Sequence, residues 1–325
     1  MTIDQSVNLD WRQHAGPTGP EISRRVVDVD ARRVSYLVAG ESSAAPAVLL
    51  IHGSGMSANC WVHQLRGLHD AFRVLAIDLP GHGRSDPMPR AGVDGHAETV
   101  TRFLDALGAG PALVVGHSLG GAVAIALAAR RPDLVRGLVL LASCVKLPRL
   151  DGSRGHWLAY LPWPLRRIVF FSVAQEVLFA PGVPGHVVSF GMQELRSCRA
   201  ETIMDDLDAA RAMDLTHQAT ALAVPTLVVC GSRDRLTPPP LSEHLSALIP
   251  RSRLRIIEGA GHMLLLEVPD RVNQEVLTFA ESLTVGACSA TRARGRRGRP
   301  LVRRLLDWGR AVMGTRARRV SGSQP

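Results

Sequence analysis

Gly116-His117-Ser118-Leu119-Gly120-Gly121 lies between an unbroken apolar run, Ala112 to Val115, and a small-residue stretch with helical character, Gly121 to Ala129. A serine hydroxyl is a poor nucleophile unless it is held exposed beside a base. A sharp strand-to-helix turn does this by forcing the serine into a strained backbone, which requires tiny residues two places before and two places after it. Gly116 and Gly120 occupy those places. The same turn points the backbone N–H of Leu119, at a helix start, toward an oxygen on whatever Ser118 attacks. The spacing alone is common by chance; its place between a buried strand and a helix gives it weight.

Outward from this turn, apolar runs alternate with helical patterns, the signature of βα units and a mostly parallel sheet. Ile22 to Val29 and Arg33 to Val38 read as an antiparallel hairpin. Ala47 to Ile51, Arg73 to Ile77, Ala112 to Val115, Gly137 to Leu141, Thr226 to Cys230 and Leu254 to Ile257 read as strands. Helical spacing covers Gly95 to Leu107, Gly121 to Arg131, Leu241 to Ile249 and Pro269 to Leu283. From Val145 to about Ala223 no strand is evident, and the segment holds Trp157, Tyr160, Trp163, Phe170, Phe171, Phe179 and Phe190. A helical block inserted there is expected to form a lid over the C-terminal ends of the strands, where open α/β sheets bind ligands. Most of its aromatics are expected to pack the lid itself.

Composition narrows the class. The chain has 325 residues, 46% of them hydrophobic, within the range of ordinary globular proteins. Met1 to Pro20 is polar and does not read as a signal peptide, and no run approaches the ~18 apolar residues of a membrane span. The expected location is cytoplasmic. Five cysteines are scattered without C-x-x-C spacing, which disfavours a disulfide framework and a zinc site. The net charge of +9 is local: residues 287–325 hold eleven arginines and one acid, Asp307, leaving residues 1–286 at −1. A nucleic-acid-binding reading of the whole chain fails on that distribution.

With these motifs in order, the sequence resembles the α/β-hydrolase fold family over roughly Val26 to Leu283. His52-Gly53-Ser54-Gly55 follows the third strand and Asp78-Leu79-Pro80-Gly81-His82-Gly83-Arg84-Ser85-Asp86 the fourth. The serine turn, Gly231-Ser232-Arg233-Asp234, and Gly259-Ala260-Gly261-His262 come next. The order Ser, acid, His is that family's own. The resemblance implies an α/β-hydrolase fold: a mostly parallel eight-stranded sheet flanked by helices, with a helical cap inserted after the sixth strand. The expected organisation is an N-terminal extension (1–21), a core (22–144 and 224–284), a helical cap (145–223) and an arginine-rich tail (285–325).

The expected catalytic residues are Ser118, Asp234 and His262. Ser118 is the nucleophile, His262 the proton carrier, and Asp234 the group that orients the imidazole. Taken singly, His262 also reads as an ordinary loop histidine and Asp234 as a helix N-cap before Pro238. Ala142-Ser143-Cys144-Val145 offers no acid after the sixth strand, and Asp151 lies too far along. The backbone N–H groups of Leu119 and Ser54, with Gly55 as the alternative to Ser54, are the expected oxyanion hole. His52, His82, Asp86 and His117 are expected to be scaffolding, and Met263 pocket lining or filler. No phosphate loop, G-x-G-x-x-G, H-E-x-x-H or EF-hand pattern occurs, so no cofactor and no metal is implied.

The expected function is hydrolysis of a carboxylic ester, thioester or lactone on a small acyl substrate. C–C bond hydrolysis, acyl transfer and perhydrolysis stay open on the same trio, as does a non-catalytic receptor on the same fold. In the tail, Leu301, Leu305, Trp308 and Val312 fall at helical spacing. Three readings remain: a solvated extension, contact with an anionic membrane surface, or an acidic partner.

Overall fold

A computed structural model of the chain describes residues 21–40, 46–88, 90–148 and 163–297. The arginine-rich stretch around Leu301 to Met313, the N-terminal extension up to residue 20, and Trp157, Tyr160 and Asp151 lie outside the described residues.

Eight strands form one sheet: β1 (Ser23–Val29), β2 (Arg32–Ala39), β3 (Ala47–Ile51), β4 (Arg73–Ile77), β5 (Ala112–His117), β6 (Val135–Leu141), β7 (Thr226–Gly231) and β8 (Ser252–Ile257). Their order is β1-β2-β4-β3-β5-β6-β7-β8. β2 runs antiparallel to β1 and β4, and every other pairing is parallel. The hairpin turns on Asp30 and Ala31, both at positive φ (48° and 60°), the backbone that a tight two-residue hairpin demands. β3 and β5 are buried along their whole length, as expected of parallel strands covered on both faces; their unbroken Val and Leu runs follow from that.

The helices are α1 (Val62–Leu68), α2 (Gly92–Leu107), α3 (Leu119–Arg130), α4 (Trp163–Leu178), α5 (Gly185–Ser197), α6 (Ala200–Ala212), α7 (Thr216–Ala221), α8 (Pro239–Leu248), α9 (Leu264–Glu267) and α10 (Pro269–Arg297). α4 to α7 lie between β6 and β7, with no strand among the described residues there. α3 is Ala- and Gly-rich and buried from Leu119 to Ala128; small side chains let it lie close against the sheet. The core gathers Val114, Leu138 and Val228 from the strands with Val100, Phe103 and Leu104 of α2 and Val123 and Leu127 of α3.

The chain divides into residues 1–280 and 281–325. α10 runs beyond the expected end at Leu283 to Arg297, because alanine and arginine sustain a helix where the apolar spacing has already stopped. No helix of the described residues is long and apolar enough to cross a membrane.

The chain leaves β3 toward β4 on one side, then returns to place β5 on the other. The C-terminal ends of β3 and β5 therefore flank the crevice where the sheet reverses its winding, the usual ligand position of such sheets.

Candidate active site

Ser118 follows β5 directly and caps α3 at φ 51°, ψ −118°, a conformation that costs a non-glycine residue about 1–3 kcal/mol. The surroundings hold it there. Its N–H donates to Leu141 O at 2.9 Å, and its carbonyl accepts from Gly121 N at 2.9 Å and from Ser143 Oγ at 2.9 Å. A Cβ on Gly116 would overlap the backbone of Gly120, and one on Gly120 the carbonyls of Ile51 and His52. Both glycines are thus required by close approach. Leu119 opens α3, so its N–H has no acceptor in a preceding turn.

His262 sits in the loop after β8, and Asp234 three residues past the end of β7. The two are joined: His262 Nδ1 donates to Asp234 Oδ2 at 2.9 Å, with both residues buried. Asp234 Oδ1 accepts from the N–H groups of Leu236 and Thr237 at 2.9 and 2.8 Å. The carboxylate therefore also closes the turn ahead of α8, so the local capping role and the imidazole-orienting role coexist in one side chain. Burial alone would raise the Asp234 carboxyl, but the adjacent His262 ring and the bonds from His262 and Thr237 outweigh it and hold it below the usual range.

The Ser118 arm is joined differently. Every hydrogen bond of Ser118 among the described residues runs through its backbone. Its neighbour His117 bridges the gap: Nε2 donates to the carbonyl of His262 at 3.0 Å, and the two rings lie 4.9 Å apart. Burial and the nearby His262 push His117 down to about 3, so it stays a neutral strut. The structure thus pairs Asp234 with His262 through a side-chain bond and sets Ser118 beside them.

The loop after β3 comes up against the nucleophile from the other side. A Cβ on Gly53 would stand 3.1 Å from Ser118 Cβ, so Ser54 and Gly55 follow right at the serine. His52 ties this loop to the next: Leu79 N donates to His52 Nε2 at 3.0 Å, which leaves Nδ1–H to donate to Gly53 O at 2.8 Å. Its burial and the neighbouring His82 push it down to about 3. Asp86 accepts from Arg33 N at 2.8 Å, and the buried His82 donates to Asp206 Oδ2 at 2.9 Å. These histidines and Asp86 serve as scaffolding in the structure. Met263 is wholly buried.

A profile of the Alpha/beta hydrolase family matches residues 48–275. The chain belongs to that family. Among this hydrolase's relatives is a pimeloyl-[acyl-carrier protein] methyl ester esterase of Neisseria meningitidis, 32% identical over 228 residues, covering 67% of this chain and 87% of that protein. A 2-hydroxy-6-oxononadienedioate/2-hydroxy-6-oxononatrienedioate hydrolase of Burkholderia vietnamiensis is 29% identical, covering 78% of this chain and 93% of that one. Of solved structures, a thermophilic esterase from Thermogutta terrifontis superposes with a TM-score of 0.71 at 26% identity, covering 80% of this chain and 99% of its own.

Three polar residues of the hydrolase site escaped the sequence reading. Thr237 Oγ1 stands 2.8 Å from Asp234 Oδ2, 3.1 Å from His262 Nδ1 and 3.0 Å from Ala142 O. Ser143 supports the nucleophile's carbonyl. Glu267 grips the histidine loop, accepting from Gly261 N at 2.8 Å and Ala180 N at 3.4 Å, with its carboxyl raised by burial against the pull of those bonds. For Thr237, the sequence signal is a hydroxyl three residues after the acid and just before Pro238; Ser143 and Glu267 carry none.

Proposed function

We propose that the protein hydrolyses a carboxylic ester through an acyl-Ser118 intermediate. The observation that carries this reading is the buried Asp234–His262 pair beside a serine held at positive φ on a strand–helix turn. With Nδ1–H committed to Asp234, the other ring nitrogen of His262 is the one left to take a proton. Ser118 Oγ adds to the acyl carbon while its proton passes to His262 Nε2, and the carbonyl electron pair moves onto oxygen. The N–H groups of Leu119 and Ser54 hold that oxyanion. The intermediate collapses by breaking the C–O bond to the leaving alcohol, which takes the proton from His262. Water then attacks the acyl-serine by the same route and releases the acid.

Relatives named as esterases support the choice of an ester. The relative named as a 2-hydroxy-6-oxononadienedioate hydrolase keeps C–C cleavage as the second reading. The expected outcome is covalent labelling of Ser118 by a fluorophosphonate and hydrolysis of p-nitrophenyl butyrate. Ser118→Ala should remove at least ~10³-fold of kcat while leaving the fold intact. Ser118→Ala hydrolysing at the wild-type rate refutes the assignment, and absence of labelling in folded protein favours a non-catalytic receptor. A dienone substrate turned over faster than any ester favours the second reading.

A further inference from the structure

His262 is held from two directions. The core takes its ring and its carbonyl, through Asp234 and His117. The insertion takes its two neighbours in the chain. Met263 N donates at 3.0 Å to the carbonyl of Leu178, the last residue of α4. Gly261 is pressed against the next two residues of the same corner: a Cβ there would stand 2.5 Å from Ala180 N and 3.0 Å from Phe179 C. The corner is itself firmly seated. Phe179 is buried, and a Cβ on Gly191 of α5 would come within 2.6 Å of its Cζ.

Glu267 closes this junction. The short turn α9 folds it back, with its N–H donating to Met263 O at 3.0 Å, so that the carboxylate lies against Gly261. Oε2 accepts from Gly261 N at 2.8 Å and from Ala180 N at 3.4 Å, which puts one oxygen between the histidine loop and the insertion. Oε1 is buried and takes no hydrogen bond among the described residues; it too faces Gly261, 2.8 Å from where a Cβ would stand. Closing the loop needs only the Gly261 bond, six residues away. The bond to Ala180 spans 87 residues, and a buried oxygen without a donor is a cost that loop closure does not require. Ser118 makes no side-chain bond to His262 among the described residues, so the reach of the imidazole toward it depends on where the backbone of residues 261–263 stands. We propose that Glu267 is a positioning residue: by joining Gly261 to Ala180 it fixes the His262 backbone to the α4 corner and so sets the distance from the imidazole to Ser118. This rests on the acyl-serine reading above. A reacting group misplaced by ~1 Å costs up to ~10²-fold in rate, so loss of one of several ties costs a part of that factor without changing substrate contacts.

The test compares wild type with Glu267→Ala, Glu267→Gln, Gly261→Ala and the double alanine variant on p-nitrophenyl butyrate. Glu267→Ala cuts both bonds, whereas the amide oxygen of Glu267→Gln can still accept from Gly261 and Ala180. Gly261→Ala pries the same joint apart by its Cβ. The expected result is a kcat about 10-fold lower in Glu267→Ala with KM within about 2-fold, and recovery to within about 3-fold of wild type in Glu267→Gln. Gly261→Ala should lose at least as much as Glu267→Ala, and the double variant should be no slower than Gly261→Ala. Wild-type kcat in Glu267→Ala, a loss carried by KM, a glutamine variant as slow as the alanine one, or losses that multiply in the double variant overturns the proposal. Amide exchange at Gly261 and Ala180, read by NMR without substrate, should speed up in Glu267→Ala; unchanged exchange also overturns it. If the alanine variants do not fold, Glu267→Asp, which draws the carboxylate back from Ala180, is judged by the same kinetics and exchange. A wild type that cleaves no ester overturns the functional reading, and the exchange measurement then judges the joint by itself.

Discussion

Thr237 shows how much one hydroxyl can hold. It has a single proton and three acceptors or rings around it: Asp234 Oδ2, His262 Nδ1 and the carbonyl of Ala142. It therefore ties the acid and the imidazole to the end of β6. Thr237→Val keeps the shape and deletes the hydroxyl, so the expected effect falls on orientation and not on packing. We expect kcat for p-nitrophenyl butyrate to fall about 10-fold, ~1.4 kcal/mol of barrier, with KM within about 2-fold and with recovery in Thr237→Ser. Steady-state kinetics of the two variants check this, and an unchanged kcat in Thr237→Val removes Thr237 from the machinery. Ser118 was legible in the sequence because its strain must be shared with Gly116 and Gly120, which are close neighbours in the chain. Thr237 offered only a hydroxyl three residues after the acid; its tie to Ala142, 95 residues away, was not legible.

Among elements, the strands were the readable part. A parallel strand buried on both faces carries an unbroken apolar run, and β3 and β5 do so. α1 was missed because three apolar positions, Val62, Leu65 and Leu68, are too few to establish a helical period. The attachment of α5 and α6 was unreadable for a different reason. Glu194 and Asp206 resemble ordinary surface acids of amphipathic helices, and only partners more than 100 residues away make them interior groups. The two differ in charge balance. Burial outweighs the bonds from Ser57 and Asn59 and raises the Glu194 carboxyl. Such a group favours folding while protonated, and its contribution is lost as pH rises above its unfolded value through the raised folded one. Glu194→Gln presents a neutral side chain of the same shape and should be at least as stable as wild type at pH 8. Glu194→Ala, which strands the Ser57 hydroxyl and the Asn59 amide, should lose about 1–3 kcal/mol. Urea denaturation of both at pH 8 checks the pair; a glutamine variant as weak as the alanine one contradicts a raised carboxyl.

For the molecule as a whole, the same bookkeeping of protons decides how it responds to acid. His52 and His117 are both buried beside the crevice and both are pushed from 6.5 down to about 3. Below pH 6.5 the unfolded chain takes up two protons that the folded one refuses, so acid favours unfolding across the window from 6.5 to about 3. Each group then contributes a slope of about 1.4 kcal/mol per pH unit. The depressed Asp206 and Asp234 add to this only at the acid end, where the unfolded carboxylates begin to protonate. Glu194 and Glu267, both raised, act in the opposite sense above 4.5 and soften the slope. Unfolding free energies from urea titrations at pH 7, 6 and 5 should therefore fall with acidification. His117→Gln, whose amide can still donate to the His262 carbonyl, should flatten the pH 6 to 5 step by about 1.4 kcal/mol. A wild-type stability that stays level from pH 7 to 5, or a variant with the wild-type slope, would mean that these two imidazoles take up protons in the folded state and that the neutral struts on either side of Ser118 are charged instead.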